Sequence, residues 1–228
     1  MKKHLKRLAA PKSWPIKRKG TKFITRPLAG AHSLELGTPL TIILKDILGI
    51  AKNNKEVKHI LNSKEILVDG KRRKEPRFLV GLMDVLSIPE TKENFRVLLD
   101  KKGRLRLAKI SEDEAKIKLS KIINKTIMCG GKMQLNLGDG RNVLVEKNDY
   151  KSNDVLVLNL PDQKIISALK FEKGASAYTT GGKHTAELAV IEEIKGDTIA
   201  LNSKGKKFEA KKEHCFVVGK EKQLIKTE

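Results

Sequence analysis

Ile66-Leu67-Val68-Asp69-Gly70-Lys71 is the stretch on which the fold turns. A β-branched apolar run entering Asp-Gly signals a hairpin, because a type I′ turn holds both central residues at positive φ. Lys71, Arg72, Arg73, Lys74 and Arg77 follow at once, so the returning strand is cationic. Val85-Leu86-Ser87-Ile88 reads as the strand that closes this small sheet.

Upstream, Pro39-Leu40-Thr41-Ile42-Ile43-Leu44-Lys45-Asp46-Ile47-Leu48 carries an apolar stripe at helical spacing. Thr38 is placed to cap it, Pro39 to open it and Gly49 to end it. Asn53-Asn54-Lys55-Glu56-Val57-Lys58-His59-Ile60-Leu61 reads as a second short helix capped by Asn53 or Asn54. Residues 38–90 therefore spell helix, turn, helix, hairpin. Lys45, Lys52, Lys55, Lys58 and Lys64 extend the cations of the hairpin onto the helices. A charge run is ordinarily a solvated face. Here it is unbalanced and adjoins a still more basic segment, which points to a phosphate-binding surface.

The whole chain of 228 residues has 48 Lys and Arg against 27 Asp and Glu, a formal net charge of +21. Self-repulsion of that size calls for a polyanionic partner: nucleic acid, an anionic membrane surface or an acidic protein. Residues 1–30 hold ten of the basic groups and no acid: Lys2, Lys3, Lys6, Arg7, Lys12, Lys17, Arg18, Lys19, Lys22 and Arg26, with His4 among them. Pro11, Pro15, Gly20, Pro27 and Gly30 break any helix there, so the segment taken alone is expected to be a disordered basic arm. Its one indole, Trp14, lies between Lys12 and Lys17. It either stacks on an exposed base or anchors the arm by packing on its own domain.

Downstream the pattern is of short strands. Phe95-Arg96-Val97-Leu98-Leu99 and Arg104-Leu105-Arg106-Leu107 flank a glycine turn, and Met133-Gln134-Leu135-Asn136-Leu137 and Asn142-Val143-Leu144-Val145 alternate around Gly138-Asp139-Gly140. Val155-Leu156-Val157-Leu158 and Ile165-Ile166 complete a β domain. From Ala177 onward, strands at close spacing, among them Leu188–Ile194, Thr198–Leu201 and Cys215–Val218, suggest a small closed barrel.

Thr180-Gly181-Gly182-Lys183-His184-Thr185 has the look of a nucleotide-phosphate loop and fails as one. The first glycine of that motif would fall at Ala177, the residue after the lysine is His184, and a β-rich run follows where a helix is needed. The five histidines are dispersed, and Cys129 and Cys215 have no paired spacing, so neither a metal site nor a cofactor is expected. No catalytic constellation is legible, and the chain is expected not to be an enzyme. No apolar run is long enough for a membrane span, and no apolar region follows the basic N-terminus as a secretory signal requires.

The helix-helix-hairpin of residues 38–90, with Val68-Asp69-Gly70-Lys71 at its turn, resembles the S-four-type RNA-binding domain. Lys2-Lys3-His4-Leu5-Lys6-Arg7-Leu8 and Ala10-Pro11-Lys12-Ser13-Trp14 resemble the start of the ribosomal protein S-four-e family of archaea and eukaryotes. Gly81-Leu82-Met83-Asp84-Val85, Glu93-Asn94-Phe95-Arg96, Lys102-Gly103-Arg104, Thr180-Gly181-Gly182 and Phe216-Val217-Val218-Gly219 fit that family in order. Two positions depart from it: the R-L-D that usually opens the first helix is Pro39-Leu40-Thr41, and the usual KOW glycine is Ala186.

The resemblance implies a multidomain α+β protein. Its parts would be a basic extension (1–37), an S-four-type domain (38–92), a central β domain (93–172), a KOW-type SH3-like barrel (173–222) and a tail (223–228). It implies a cytoplasmic, structural constituent of the small ribosomal subunit. Its partners would be small-subunit ribosomal RNA and neighbouring ribosomal proteins, with no small-molecule substrate and no homo-oligomer. The expected RNA-binding residues are the arm cations with His4 and Trp14, then Lys45, Lys52, Lys55 and Lys58, then Lys71, Arg72 and Arg73, and last Lys183 and His184. The alternatives are a free RNA-binding factor that uses the barrel for docking and, further off, the RNA-targeting part of a modifying enzyme.

Overall fold

The computed structural model describes residues 4–128, 130–146, 149–203, 205–220 and 224–225. The chain is mostly β, with few helices, and divides into two compact units, Met1–Leu98 with Arg104–Lys116 and Leu99–Gly103 with Ile117–Glu228. The expected tail falls largely outside the described residues.

In the first unit, β1 (Leu5–Lys6) and β2 (Phe23–Ile24) form an antiparallel ribbon. Between them Trp14 is buried, and its Nε1 donates to the carbonyl of Gly37 at 2.8 Å and to that of Leu34 at 3.2 Å. Arg7 donates to the carbonyls of Lys17 and Thr21, and Arg18 to those of Ala10 and Pro11. The expectation of a disordered arm is therefore corrected for residues 4–30. One large indole supplies the apolar burial that the scattered aliphatics lack, and two guanidinium groups satisfy the loop carbonyls.

β3 (Gly37–Pro39) pairs with β6 (Leu79–Gly81). Thr38 is held extended in that ladder opposite Val80 and does not cap a helix, contrary to the sequence expectation. The helix α1 (Leu40–Ile42) begins after Pro39 and runs into a π-helical turn, Ile43–Ile47. Its first donors are met by chain neighbours instead: Leu40 N reaches the Phe78 carbonyl and Thr41 N the Pro76 carbonyl. Helix α2 (Asn54–Ser63) is capped by Asn53, whose Oδ1 accepts from Lys55 N and Glu56 N, while Glu56 accepts in return from Lys52 N. Ile43, Leu44, Val57 and Leu61 are buried, and α2 packs against the π-helical turn.

β4 (Leu67–Val68) and β5 (Lys71–Arg72) form the expected hairpin, with Asp69 at φ 52° and Gly70 at φ 72°. β7 (Val85–Ile88), β8 (Glu93–Leu99) and β9 (Leu105–Ile110) complete a sheet ordered β5-β4-β7-β8-β9. The boundary expected between residues 92 and 93 thus falls inside a sheet. The register Leu86 to Phe95 and Val85 to Arg96 ties β8 to the N-terminal unit, because it buries Phe95 and Val97 there. A short helix, α3 (Glu112–Ala115), follows.

In the second unit, β10 (Ile117–Ile127), β11 (Met133–Leu137), β12 (Asn142–Val145), β13 (Val155–Asn159) and β14 (Ile165–Leu169) form a sheet ordered β12-β11-β10-β13-β14. Ile122, Leu135, Leu137, Leu156 and Leu158 are its core. β15 (Ser176–Thr179), β16 (Leu188–Lys195), β17 (Thr198–Ser203), β18 (Lys206–Lys211) and β19 (Cys215–Gly219) follow in the order β18-β17-β16-β15-β19. Among the described residues no ladder joins β18 to β19, so the expected closed barrel is a half-barrel.

Candidate nucleic-acid interface

The cations foreseen on the helix-helix-hairpin are presented by short elements, of which α2 is capped by Asn53. Lys52, Lys55 and Lys58 are exposed at the start and first turns of α2, and Lys71 and Arg72 are exposed on β5. Arg72 is oriented from below: its guanidinium donates to the Asn62 carbonyl at 3.1 Å and lies 3.8 Å from the Glu65 carboxylate. Arg73 is half-buried, with its guanidinium 4.3 Å from the Phe78 ring centroid.

The N-terminal segment contributes an exposed set, Lys6, Lys12, Lys17, Lys19 and Lys22, and a set spent on structure. Arg7 and Arg18 hold loop carbonyls with their guanidinium groups, and it is the Arg77 guanidinium that holds the backbone carbonyl of Arg26, at 2.9 Å. His4 packs against Phe23 with 5.5 Å between ring centroids. Trp14, expected either to stack on RNA or to anchor the arm, is an anchor. At 1% exposure it offers no face to a base, and its Nε1 is already bonded, which removes it from the interface. Lys2 and Lys3 lie outside the described residues.

The ribbon β1–β2 and the helices meet at a groove of about 330 Å³ lined by Arg7, Thr21, Phe23, Ile24, Thr25, Thr41, Ile42, Lys45, Asp46 and Asn54. The fold thus brings Lys45 beside the N-terminal segment, a juxtaposition that sequence spacing could not show.

In the second unit Lys183 is exposed, while the His184 ring stacks on Phe208 at 4.1 Å and sits 3.2 Å from the Glu187 carboxylate. Thr185 Oγ1 donates to the Gly182 carbonyl, and Thr179 Oγ1 to that of His184. Gly181 lies against the His214 ring, where a Cβ would come within 2.8 Å. The stretch is a tight turn tied to strands rather than an open cradle for a nucleotide. Ala186 is left-handed at φ 64°, the conformation for which glycine is favoured.

Three cations are turned inward, Lys118 and Arg96 buried and Lys121 half-buried. Lys118 is buried 3.1 Å from Asp139, and Arg96 donates to the Glu114 carbonyl, its pKa lowered to about 10 by burial. Lys121 donates to the carbonyls of Lys212, Glu213 and Cys215 at 2.9–3.1 Å, tying β10 to the start of β19. Burial lowers its pKa to about 8 and pushes the neighbouring Cys215 thiol up to about 11. The available signal was the apolar company of Lys118 between Ile117 and Leu119 in a strand.

Comparison with known proteins bears on this geometry. Residues 91–165 match the model of ribosomal family S4e, and residues 1–35 match the RS4NT (NUC023) domain. The chain is 48% identical to small ribosomal subunit protein eS4 of Methanosphaera stadtmanae, over 98% of this chain and 95% of that one. It is 46% identical to small ribosomal subunit protein eS4 of Methanocaldococcus jannaschii, over 99% and 97%. The crystal structure of 30S ribosomal protein S4e from Thermoplasma acidophilum superposes with a TM-score of 0.71 at 33% identity, covering 81% of this chain and 95% of that one.

Proposed function

This chain belongs to ribosomal family S4e, and on that premise we propose that its N-terminal unit is the part that grips small-subunit ribosomal RNA. The protein is a structural constituent of the small ribosomal subunit, working within a ribonucleoprotein in translation. The observation that carries this is near-full-length identity of 46–48% to two curated small-subunit proteins.

The finer reading follows from charge and exposure. Lys52, Lys55, Lys58, Lys71 and Arg72, with Lys6, Lys12, Lys17, Lys19 and Lys22, are exposed and displace counterions from RNA phosphates. Lys45 joins them from the groove, and Lys183 is a separate, single contact. Recognition is of RNA shape more than of base sequence. The helix-helix-hairpin acts as an S-four-type module, and the half-barrel as a KOW-type module that meets neighbouring ribosomal proteins. The protein acts as one copy on cytoplasmic ribosomes.

Sedimentation tests the assignment. The tagged chain is expected to stay with small subunits through a high-salt wash. Release into the free fraction at that step would show a loosely bound factor instead.

A further inference from the structure

We propose that the groove between the β1–β2 ribbon and α1 takes a single unstacked RNA nucleobase, beside the cations that meet phosphate. The proposal rests on the reading of the chain as an RNA-binding ribosomal protein. Its volume, about 330 Å³, is at the small end of ligand pockets, which run from roughly 300 Å³ upward. It suits one planar ring and not a longer segment of chain.

The lining has the composition that a flipped base requires. Phe23 is 49% exposed although it sits in a strand, and it is the one aromatic ring on the wall. Lys22 holds its ammonium 5.6 Å from the Phe23 centroid, and the His4 ring tilts against the same side chain. A base laid on this ring gains stacking while its own phosphate lies beside Lys22, the combination by which single-stranded nucleic acid is held. Ile24 and Ile42 supply apolar lining, and Asp46 and Asn54 supply polar side chains. Among the described residues neither Asp46 nor Asn54 spends its side chain on another protein group. A carboxylate and an amide left unspent can bond the polar edge of a base. Arg7 also lines the groove, and its bonds to Lys17 and Thr21 fix the loop between the two strands of the ribbon. An RNA duplex keeps its bases stacked inside and cannot use this site, so the pocket selects a bulge, a loop or a strand end.

The experiment uses the full chain and two probes: a single-stranded hexaribonucleotide carrying 2-aminopurine, and a fully paired RNA duplex. Phe23→Leu is expected to weaken binding of the hexaribonucleotide about 5- to 100-fold and to abolish the change in 2-aminopurine emission. Phe23→Tyr is expected to retain both, and neither variant is expected to change duplex affinity. Asp46→Ala is expected to weaken the single strand alone. Unchanged hexaribonucleotide binding in Phe23→Leu, with duplex binding intact, overturns the base pocket and leaves the ribosomal reading standing. Failure of the wild-type chain to bind either RNA would instead count against the RNA-binding reading itself. Loss of both probes in Phe23→Leu alone would make Phe23 a support of the fold and overturn the pocket.

Discussion

The indole Nε1 of Trp14 donates to the Gly37 carbonyl at 2.8 Å, joining the most basic segment of the chain to the residue that opens the strand leading into α1. An aromatic among lysines is thereby a bolt rather than a reader of bases. Trp14→Ala is expected to cost about 3–5 kcal/mol in urea unfolding. It is also expected to free the loop of Lys17, Lys19 and Lys22 for trypsin before the core opens. Because Trp14 is the single tryptophan, its emission is expected to be unquenched by added RNA. Strong quenching would show a stacked indole and contradict the anchor.

His32 and Asp84 form a second bolt, with Nε2 2.9 Å from the carboxylate, which also accepts from Gly81 N. The ring occupies the space in which a Cβ at Gly81 would sit, 2.2 Å away. Gly81→Ala is expected to destabilise by about 1–3 kcal/mol through overpacking. Combined with His32→Ala, the loss is expected to be clearly less than additive, since the clash is then gone. Strict additivity in thermal unfolding would contradict the contact.

Lys121 and Cys215 give opposite pH signatures. Lys121 has a folded pKa near 8 against an ordinary 10.5, so between these values the unfolded chain carries a proton that the folded chain has released. Stability from this group therefore rises with pH across that window. Cys215 has a folded pKa near 11 against 9.0, so the unfolded chain loses its proton first and stability falls from 9.0 upward. The stability difference between wild type and Lys121→Met is expected to grow in favour of wild type as pH rises past about 8. A flat difference would show that Lys121 is solvated.

Ala186 stands at φ 64°, where a side chain is strained and glycine is favoured. Ala186→Gly is expected to stabilise the protein by about 0.5–1 kcal/mol, relief of left-handed strain outweighing the greater entropy of unfolded glycine. A lowered melting temperature would contradict that assignment.

The hairpin was legible because Asp69-Gly70 leaves few alternatives to a type I′ turn, and α2 was legible because Asn53 caps it as its residue type prefers. What escaped were effects of partners distant in sequence. Thr38 looks like a cap until Val80 is laid beside it, and residues 4–30 look disordered until Trp14 meets Gly37. The same holds for charge: composition counts Lys118, Lys121 and Arg96 with the surface, and only the tertiary fold turns them inward. The groove beside Phe23 joins the ribbon, α1 and Asn54, and no local pattern announces it.

The salt dependence of binding to small-subunit ribosomal RNA tests the central claim most directly. Lys52, Lys55, Lys58 and Lys71 are exposed, so their joint replacement by glutamine leaves the fold intact. Each phosphate contact contributes about 0.7–0.9 to the slope of log K against log salt, so the fourfold variant is expected to bind with a slope shallower by about 3. An unchanged slope and affinity would contradict the account and place the RNA on another face of the protein.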